Sequence, residues 1–455
     1  MSVDSKRENS ADDTVDSIDD LVGFLRAGEK PPERWVVGTE HEKIGLRAID
    51  KQPIPYEGEA GIRAVLEKIV ELDGWTPVYE GESVIALQKG RANITLEPGG
   101  QFELSGAPLR TIHETCDEFN AHLALMKRIS EPLGLVWLGF GINPIHEAPQ
   151  IPHMPKARYE IMRSYLPTRG SQALVMMYAT ATVQANFDYA DEADMIDKMR
   201  TATGISSIVS AIFANSSLSE GKANGFISRR LQVWEDTDPD RTGLLAGVFA
   251  PDFGYRSYVE WALDVPMFFV VREGRYTPAE GMTFRQFFER GWRGERPTLR
   301  DFDVHLTTLF PDVRLKQFIE VRSADAVPPA LTCSLPALWK GVLYDAEARA
   351  AAWALVSRST QEERLAARAD VARRGLEADA FGRPMVELAR ELAEISVAGL
   401  RRIAHAGKRD PDETGYLDPV FAQLELGRSP GRLILERWEG DWQRSLDRLI
   451  EYTRY

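Results

Sequence analysis

The sequence predicts a mixed α+β protein, with a sheet-bearing core over residues 16–334 followed by a mainly helical segment over 335–455. Two patterns carry this expectation. Up to about residue 330, short runs alternate polar and apolar side chains with the two-residue period of a strand, and runs of helical period lie between them. Beyond Pro336 the composition turns helix-like with few β-branched runs. No long Gly/Ser/Pro linker divides the two parts, so the helical third should buttress the sheet within a single domain.

Residues 1–15 are polar and acidic with few apolar anchors and read as a disordered arm. A short amphipathic helix is expected over 17–27, with Ser17 and Asp20 supplying the cap, before Pro31-Pro32 leads into a first strand. Helical periodicity returns over 62–72 and, at greater length, over 111–129. Residues 135–141, Leu-Val-Trp-Leu-Gly-Phe-Gly, read as a buried strand. Between 179 and 189, Thr180, Thr182, Gln184, Asn186 and Asp188 alternate with Ala181, Val183, Ala185 and Phe187, which predicts a strand with one packed and one wet face. Helices are then expected over 337–357, 362–376, 385–405 and 429–455.

Three of the strand-like stretches place carboxylates where one sheet could aim them at a common point: Gly38-Thr39-Glu40-His41-Glu42-Lys43, residues 94–104 with Glu97 and Glu103, and Phe318-Ile319-Glu320-Val321-Arg322. Side chains two apart on a strand share a face, so Glu40 and Glu42 point together, as do Gln101 and Glu103, and Glu320 and Arg322. Two carboxylates about 7 Å apart at an effective dielectric of about 20 repel by roughly 2.4 kcal/mol. A cation must offset that, and hard divalent ions such as magnesium take oxygen ligands and share them with phosphates. The alternative is a solvated polar face, which the apolar flanks Ile94, Leu96, Phe102, Leu104, Ile319 and Val321 disfavour.

The phosphate cradle G-x-x-x-x-G-K-[ST] is absent, and so are G-x-G-x-x-G and H-E-x-x-H, so a nucleotide site would use metals and basic side chains instead. A polar stretch over 215–230, containing Lys222 and Arg229, and the Asp-rich turn before Arg241 supply such side chains; a solvated loop pair is the competing reading. With 55 Lys+Arg against 69 Asp+Glu the net charge is −14, which disfavours nucleic acid and anionic membranes as partners. No apolar run reaches the roughly 18 residues that cross a bilayer. The N-terminus has the pattern of neither a secretory signal nor an Arg-rich transit peptide, so a cytoplasmic location is expected by default. Cys116 and Cys333 alone read as two buried, inert thiols.

Five blocks in order resemble the plant and proteobacterial type of glutamate–cysteine ligase, within the glutamine-synthetase-like carboxylate–amine ligases: residues 38–43, 96–106, 219–225, 234–243 and 305–316. The resemblance implies a curved, mostly antiparallel sheet forming a funnel-shaped active site. It implies ATP-dependent joining of the γ-carboxylate of L-glutamate to the amine of L-cysteine through γ-glutamyl phosphate, with two or three magnesium ions. Carried over by position, Glu40, Glu42, Glu97, Glu103 and Glu320 match metal-binding acids, and Gln184 stands where more distant bacterial relatives carry His. Arg322 matches the Arg two residues after the last acid and, with Glu320, takes the catalytic role. Lys222, Arg229, Arg241, Arg163 and Asn186 are candidates for ATP or glutamate. The resemblance also pairs Cys116 with Cys333 as a redox-sensitive disulfide, while a second plant cysteine pair is absent. A monomer or weak homodimer is expected. A γ-glutamyl ligase using another amine, and a catalytically silent regulator of the same fold, are the alternatives.

Overall fold

The computed structural model describes residues 13–406 and 411–455. The expected arm therefore lies, over residues 1–12, outside the described residues. Its end does not hang free: Thr14 bridges to Thr298, and Val15 is fully buried with its N–H on the Pro297 carbonyl at 2.9 Å. The first helix, Ile18–Arg26, starts on the expected cap. The Asp20 amide donates to Ser17 Oγ at 3.3 Å, and Asp20 Oδ2 accepts from the Ser17 amide at 2.8 Å.

Nine antiparallel strands form the central sheet: β1 (Val37–Arg47), β2 (Thr76–Glu80), β3 (Ser83–Lys89), β4 (Ala92–Leu96), β5 (Phe102–Ser105), β6 (Leu135–Leu138), β7 (Thr182–Phe187), β8 (Val313–Leu315) and β9 (Ile319–Asp325). Their order is β8-β9-β7-β1-β5-β4-β3-β2, with β6 on β1 alone. The long β1 is shared. Residues 37–43 run between β7 and β5, and Ile44–Arg47 pair with β6. The sheet is open, as expected of a funnel wall, and a bulge between Val321 and Ala324 bends β9.

Alternation explains the layers. On β1 the residues Thr39, His41 and Lys43 turn to the back of the sheet, where the helix Ile112–Ser130 covers them. The His41 ring lies 4.6 Å from that of Phe119, and the Phe102 ring 6.3 Å from that of His122. Below β9 lies a helix that sequence periodicity does not reveal, Glu192–Ile212, continuously buried from Thr201 to Ile212. Its Ser210 hydroxyl donates to the Ser323 carbonyl at 2.9 Å, which ties it to the bulge.

The C-terminal third is helical as expected, in seven principal helices: Ser334–Leu343, Ala346–Ala354, Gln361–Arg374, Met385–Ala406, Asp418–Leu426, Pro430–Glu439 and Leu446–Thr453. Asp345, accepting from the Ala348 amide at 2.7 Å, splits what the sequence suggests as one helix over 337–357. Ser334–Leu343 and Met385–Ala406 approach so closely that a Cβ on Gly399 would collide with the Gly341 carbonyl. Val183, Phe187 and Ile205 share one core with Leu338, Trp339, Leu388 and Leu392, so the helical third packs directly on the sheet layers.

Cys116 and Cys333 are joined by a disulfide, with Cα atoms 6.0 Å apart and a sequence separation of 217. It links the helix behind β1 to the start of Ser334–Leu343. Closing so long a loop restricts the unfolded chain, so reduction should cost about 2–5 kcal/mol of stability. Thermal melts with and without dithiothreitol measure this, and Cys333→Ser should match the reduced protein and ignore the reductant. His305 offers a second test. Burial, then the neighbouring Arg241 charge, holds its imidazole down at about 4, despite the carbonyl of Ala262 at 2.8 Å, against about 6.5 when unfolded. The unfolded chain thus binds the extra proton between these values, and the His305 contribution is complete above pH 6.5 and lost as pH falls towards 4. Urea midpoints across pH 4–7 should fall less steeply in His305→Gln.

Candidate active site

The register of the sheet gathers the acids. Across β1, Glu42 stands opposite Glu103 on β5, Glu40 opposite Gln184 on β7, and Gly38 opposite Asn186. Across β7, Asn186 stands opposite Glu320 on β9. Glu97 reaches the same face through the turn at the end of β4, where the Gly100 amide returns to the Glu97 carbonyl at 2.9 Å. Pro98 takes the second turn position, and Gly100 has φ +80°. Gln101 lies outside β5 and does not join Glu103: its amide donates to the carbonyls of Thr180 at 2.7 Å and Met177 at 3.2 Å and fixes the turn against the next segment.

Four of the acids make no ion pair among the described residues. Glu40 accepts from Asn186 Nδ2 at 3.0 Å, and Glu42 from the Thr182 amide at 2.9 Å. Glu103 accepts from Thr95 at 2.6 Å and Ser105 at 2.9 Å. Burial, reinforced by Glu320 and Glu103, pushes the Glu40 carboxyl up to about 7. Burial and the Glu97 and Glu103 charges push Glu42 well above the usual range; burial and Glu97 raise Glu103. Glu97 is raised by burial although Lys156, Arg158 and Arg322 pull the other way. Carboxylates with raised proton affinity that face one another are held as if for a cation.

Glu320 is the opposite case. It is fully buried, which by itself would raise it, but Arg314, Lys316 and Arg322 outweigh burial and hold it well below the usual range. Arg314 forks onto both oxygens at 2.7 and 2.8 Å, Lys316 Nζ lies at 3.1 Å, and Arg322 also donates to it. Arg322 donates to Gln184 Oε1 at 2.5 Å and lies against the rings of Trp234 and Phe310. Glu320 and Gln184, the two other expected ligands, are both engaged by Arg322, which they hold beside the acids.

The remaining basic candidates meet partners within the protein. Arg241 is fully buried and spends its donors on Asp238 at 2.6 Å and on the carbonyls of Thr308 and Pro266 at 3.2 and 2.8 Å. Lys222 pairs with Glu220 at 2.8 Å and Arg163 with Glu160 at 2.6 Å, both on exposed surface. Arg229 donates to Gln172 at 2.8 Å. The structure instead brings Arg230, Arg314, Lys316, Lys156 and Arg158 into the field of the acids. Arg230 is the second residue of a short helix, Arg229–Glu235, in which neighbours diverge by about 100°, so Arg230 turns inward beside Trp234, one helical turn on, while Arg229 turns away. That i, i+4 spacing was the available signal. Arg314 faces Glu320 only because the hairpin of β8 and β9 sets that register.

The donor set is carboxylate oxygen throughout, which fits a hard cation such as magnesium. As placed, no three of His, Cys, Asp and Glu among the described residues stand close enough to hold an ion by themselves. Substrate phosphates and water would complete the coordination, as magnesium commonly allows. The Glu320 anchor has its own consequence. Arg314→Gln would leave a buried carboxylate without its fork, so urea unfolding should show a loss of about 3–5 kcal/mol. A loss under 1 kcal/mol would mean Lys316 and Arg322 suffice.

Comparison with known proteins places this arrangement in a lineage. Residues 36–451 match the family described as glutamate-cysteine ligase family 2. The chain is 43% identical over 439 residues to the chloroplastic glutamate–cysteine ligase of Medicago truncatula, covering 96% of this chain and 85% of that one. It is 44% identical over 440 residues to the chloroplastic glutamate–cysteine ligase B of Oryza sativa subsp. japonica, covering 96% and 87%. A solved glutamate–cysteine ligase from Francisella tularensis in complex with AMP superposes with a TM-score of 0.56 at 12% identity, over 92% of this chain and 87% of that one, a likeness of fold. The cytoplasmic expectation is overturned by relatives described as chloroplastic; it rested only on what the N-terminus lacks. The match spans nearly the whole length and keeps the carboxylate strands within it: the chain belongs to glutamate-cysteine ligase family 2.

Proposed function

We propose that this enzyme uses ATP and magnesium to join the γ-carboxylate of L-glutamate to the amine of L-cysteine, giving γ-glutamylcysteine, ADP and phosphate. The reading is supported by membership of the ligase family and by relatives named glutamate–cysteine ligase. The observation that carries it is the group Glu40, Glu42, Glu97 and Glu103, without ion-pair partners among the described residues, with Arg230 beside Glu42 and Arg322 beside Glu40, Glu42 and Glu97.

A carboxylate resists attack by an amine because its charge is delocalised and oxide is a poor leaving group. Transfer of the γ-phosphoryl group of ATP to the glutamate γ-oxygen releases ADP and makes that oxygen part of a leaving phosphate. The free amine of cysteine then bonds to the acyl carbon, the carbon–oxygen bond breaks, and inorganic phosphate leaves after the amine loses a proton. Glu40, Glu42, Glu97 and Glu103 would hold the metal; magnesium, when bound, neutralises phosphate charge and polarises the transferring group. Arg322, steadied by Glu320 and Gln184, and Arg230 meet the anionic oxygens of the substrates. Every step proceeds without a protein nucleophile.

Incubation with ATP, magnesium, glutamate and cysteine should release ADP only when cysteine is present, with the dipeptide identified by mass spectrometry. Chelating the metal should stop it. Glu42→Gln removes one metal oxygen charge without changing shape, so kcat should fall at least about a hundredfold while the melting temperature holds or rises. Cysteine-independent ADP release, or full activity of Glu42→Gln, would defeat the assignment.

A further inference from the structure

The helical C-terminal third contributes more than packing. Arg368, on the helix Gln361–Arg374, is 1% exposed and directs one guanidinium at two carboxylates on different elements, Glu235 and Asp312. Each is tied through the backbone to one of the arginines beside the acids. Glu235 ends the helix Arg229–Glu235, whose first turn bears Arg230. Asp312 immediately precedes β8, and its carbonyl accepts the Arg322 amide at 2.9 Å, at the bulge of β9.

The other end of the Arg230 helix is fixed independently. Ser228 Oγ caps it, accepting from the Leu231 amide at 3.1 Å, and donates to Asp325 at 3.0 Å. Ser216 Oγ accepts from the Arg230 amide at 3.0 Å and donates to Asp325 at 2.7 Å. With Asp325 holding the first turn and Arg368 the last, the helix is tethered at both ends. Between the tethers lies a cavity of about 10 Å³, lined by Arg230, Trp234, Phe310, Arg322, Ser323 and Arg368. Room for about one water, with three guanidiniums around it, is a costly arrangement unless something sets their separation. The fork between Asp312 and Glu235 is that device.

We propose that Arg368 is a positioning residue of the ligation reaction, which sets the separation of Arg230 and Arg322 by spanning Glu235 and Asp312. This rests on the ligase reading. Arg368 acts through the two arginines, so its loss is felt where they meet substrate anions, in the binding of glutamate or ATP, while the reacting atoms stay in place.

Steady-state kinetics with each substrate varied in turn, on Arg368→Gln, Arg368→Lys and Glu235→Gln, test it. Arg368→Gln and Glu235→Gln should raise the KM of glutamate or of ATP about tenfold, with the KM of cysteine and kcat changed less than about threefold. Arg368→Lys keeps the charge but cannot reach both carboxylates, so it should recover melting temperature while its KM stays raised. A merely structural Arg368 would lower the melting temperature and leave all three KM values unchanged below it; that result overturns the proposal. Should Arg368→Gln fail to fold, Glu235→Gln and Asp312→Asn decide by the same criterion. Absence of cysteine-dependent ADP release from the unaltered protein is the separate outcome that removes the ligase reading, and the positioning role falls with it.

Discussion

Four carboxyl side chains gathered on one face of a sheet, with no cation paired to them among the described residues, are the constraint around which this molecule is arranged. Their mutual repulsion has to be borne by the fold in the absence of a ligand. It is borne because the strands that carry them are firmly packed, with Ile94, Leu96, Phe102 and Leu104 no more than 1% exposed. A slip of one residue would turn Glu40 and Glu42 into the helix behind and expose His41 and Lys43 to the cleft. Burial of Lys43 behind the sheet, its ammonium bonded to the His41 carbonyl at 3.0 Å and lowered to about 7, makes that slip expensive in both directions.

The same residue type takes two opposite electrostatic roles a few ångströms apart. Glu40 and Glu42 are raised because burial and carboxylate neighbours both favour the neutral form. Glu320, equally buried, is lowered because three cations converge on it. The first kind of site attracts a metal ion; the second consumes its charge in holding a side chain still. Arg322 stands at the boundary between them, restrained by Glu320 and Gln184, and delivers a fixed positive charge beside a face that otherwise repels anions.

Legibility differed sharply by residue. The acids of β1, β4, β5 and β9 could be read because a period of two and apolar flanks are properties of a few consecutive residues. The helix Glu192–Ile212 escaped because from Thr201 onward it is buried all round and carries Ala, Gly, Ser and Thr where an amphipathic helix would show a polar face. The polar face of β7 suggested solvent, yet Gln184 is 3% exposed, with Arg322 bonded to it. Among the basic residues, Arg241 looked like a substrate fork because it follows an Asp-rich turn. Asp238 in that very turn neutralises it.

What the sequence by itself determined is local: the strand alternation that puts Glu40 with Glu42, the Ser17 cap, the helical third, and the family resemblance through five blocks in order. Each depends on neighbours within a few positions, where backbone geometry and propensity dominate. Which cations serve the acids was decided only in three dimensions. Arg314 meets Glu320 through hairpin register, Arg230 turns inward through the phase of a short helix, and Arg368 arrives from a part of the chain more than a hundred residues beyond it. Electrostatic partnership acts through space over a few ångströms, and distance along the chain carries no record of it.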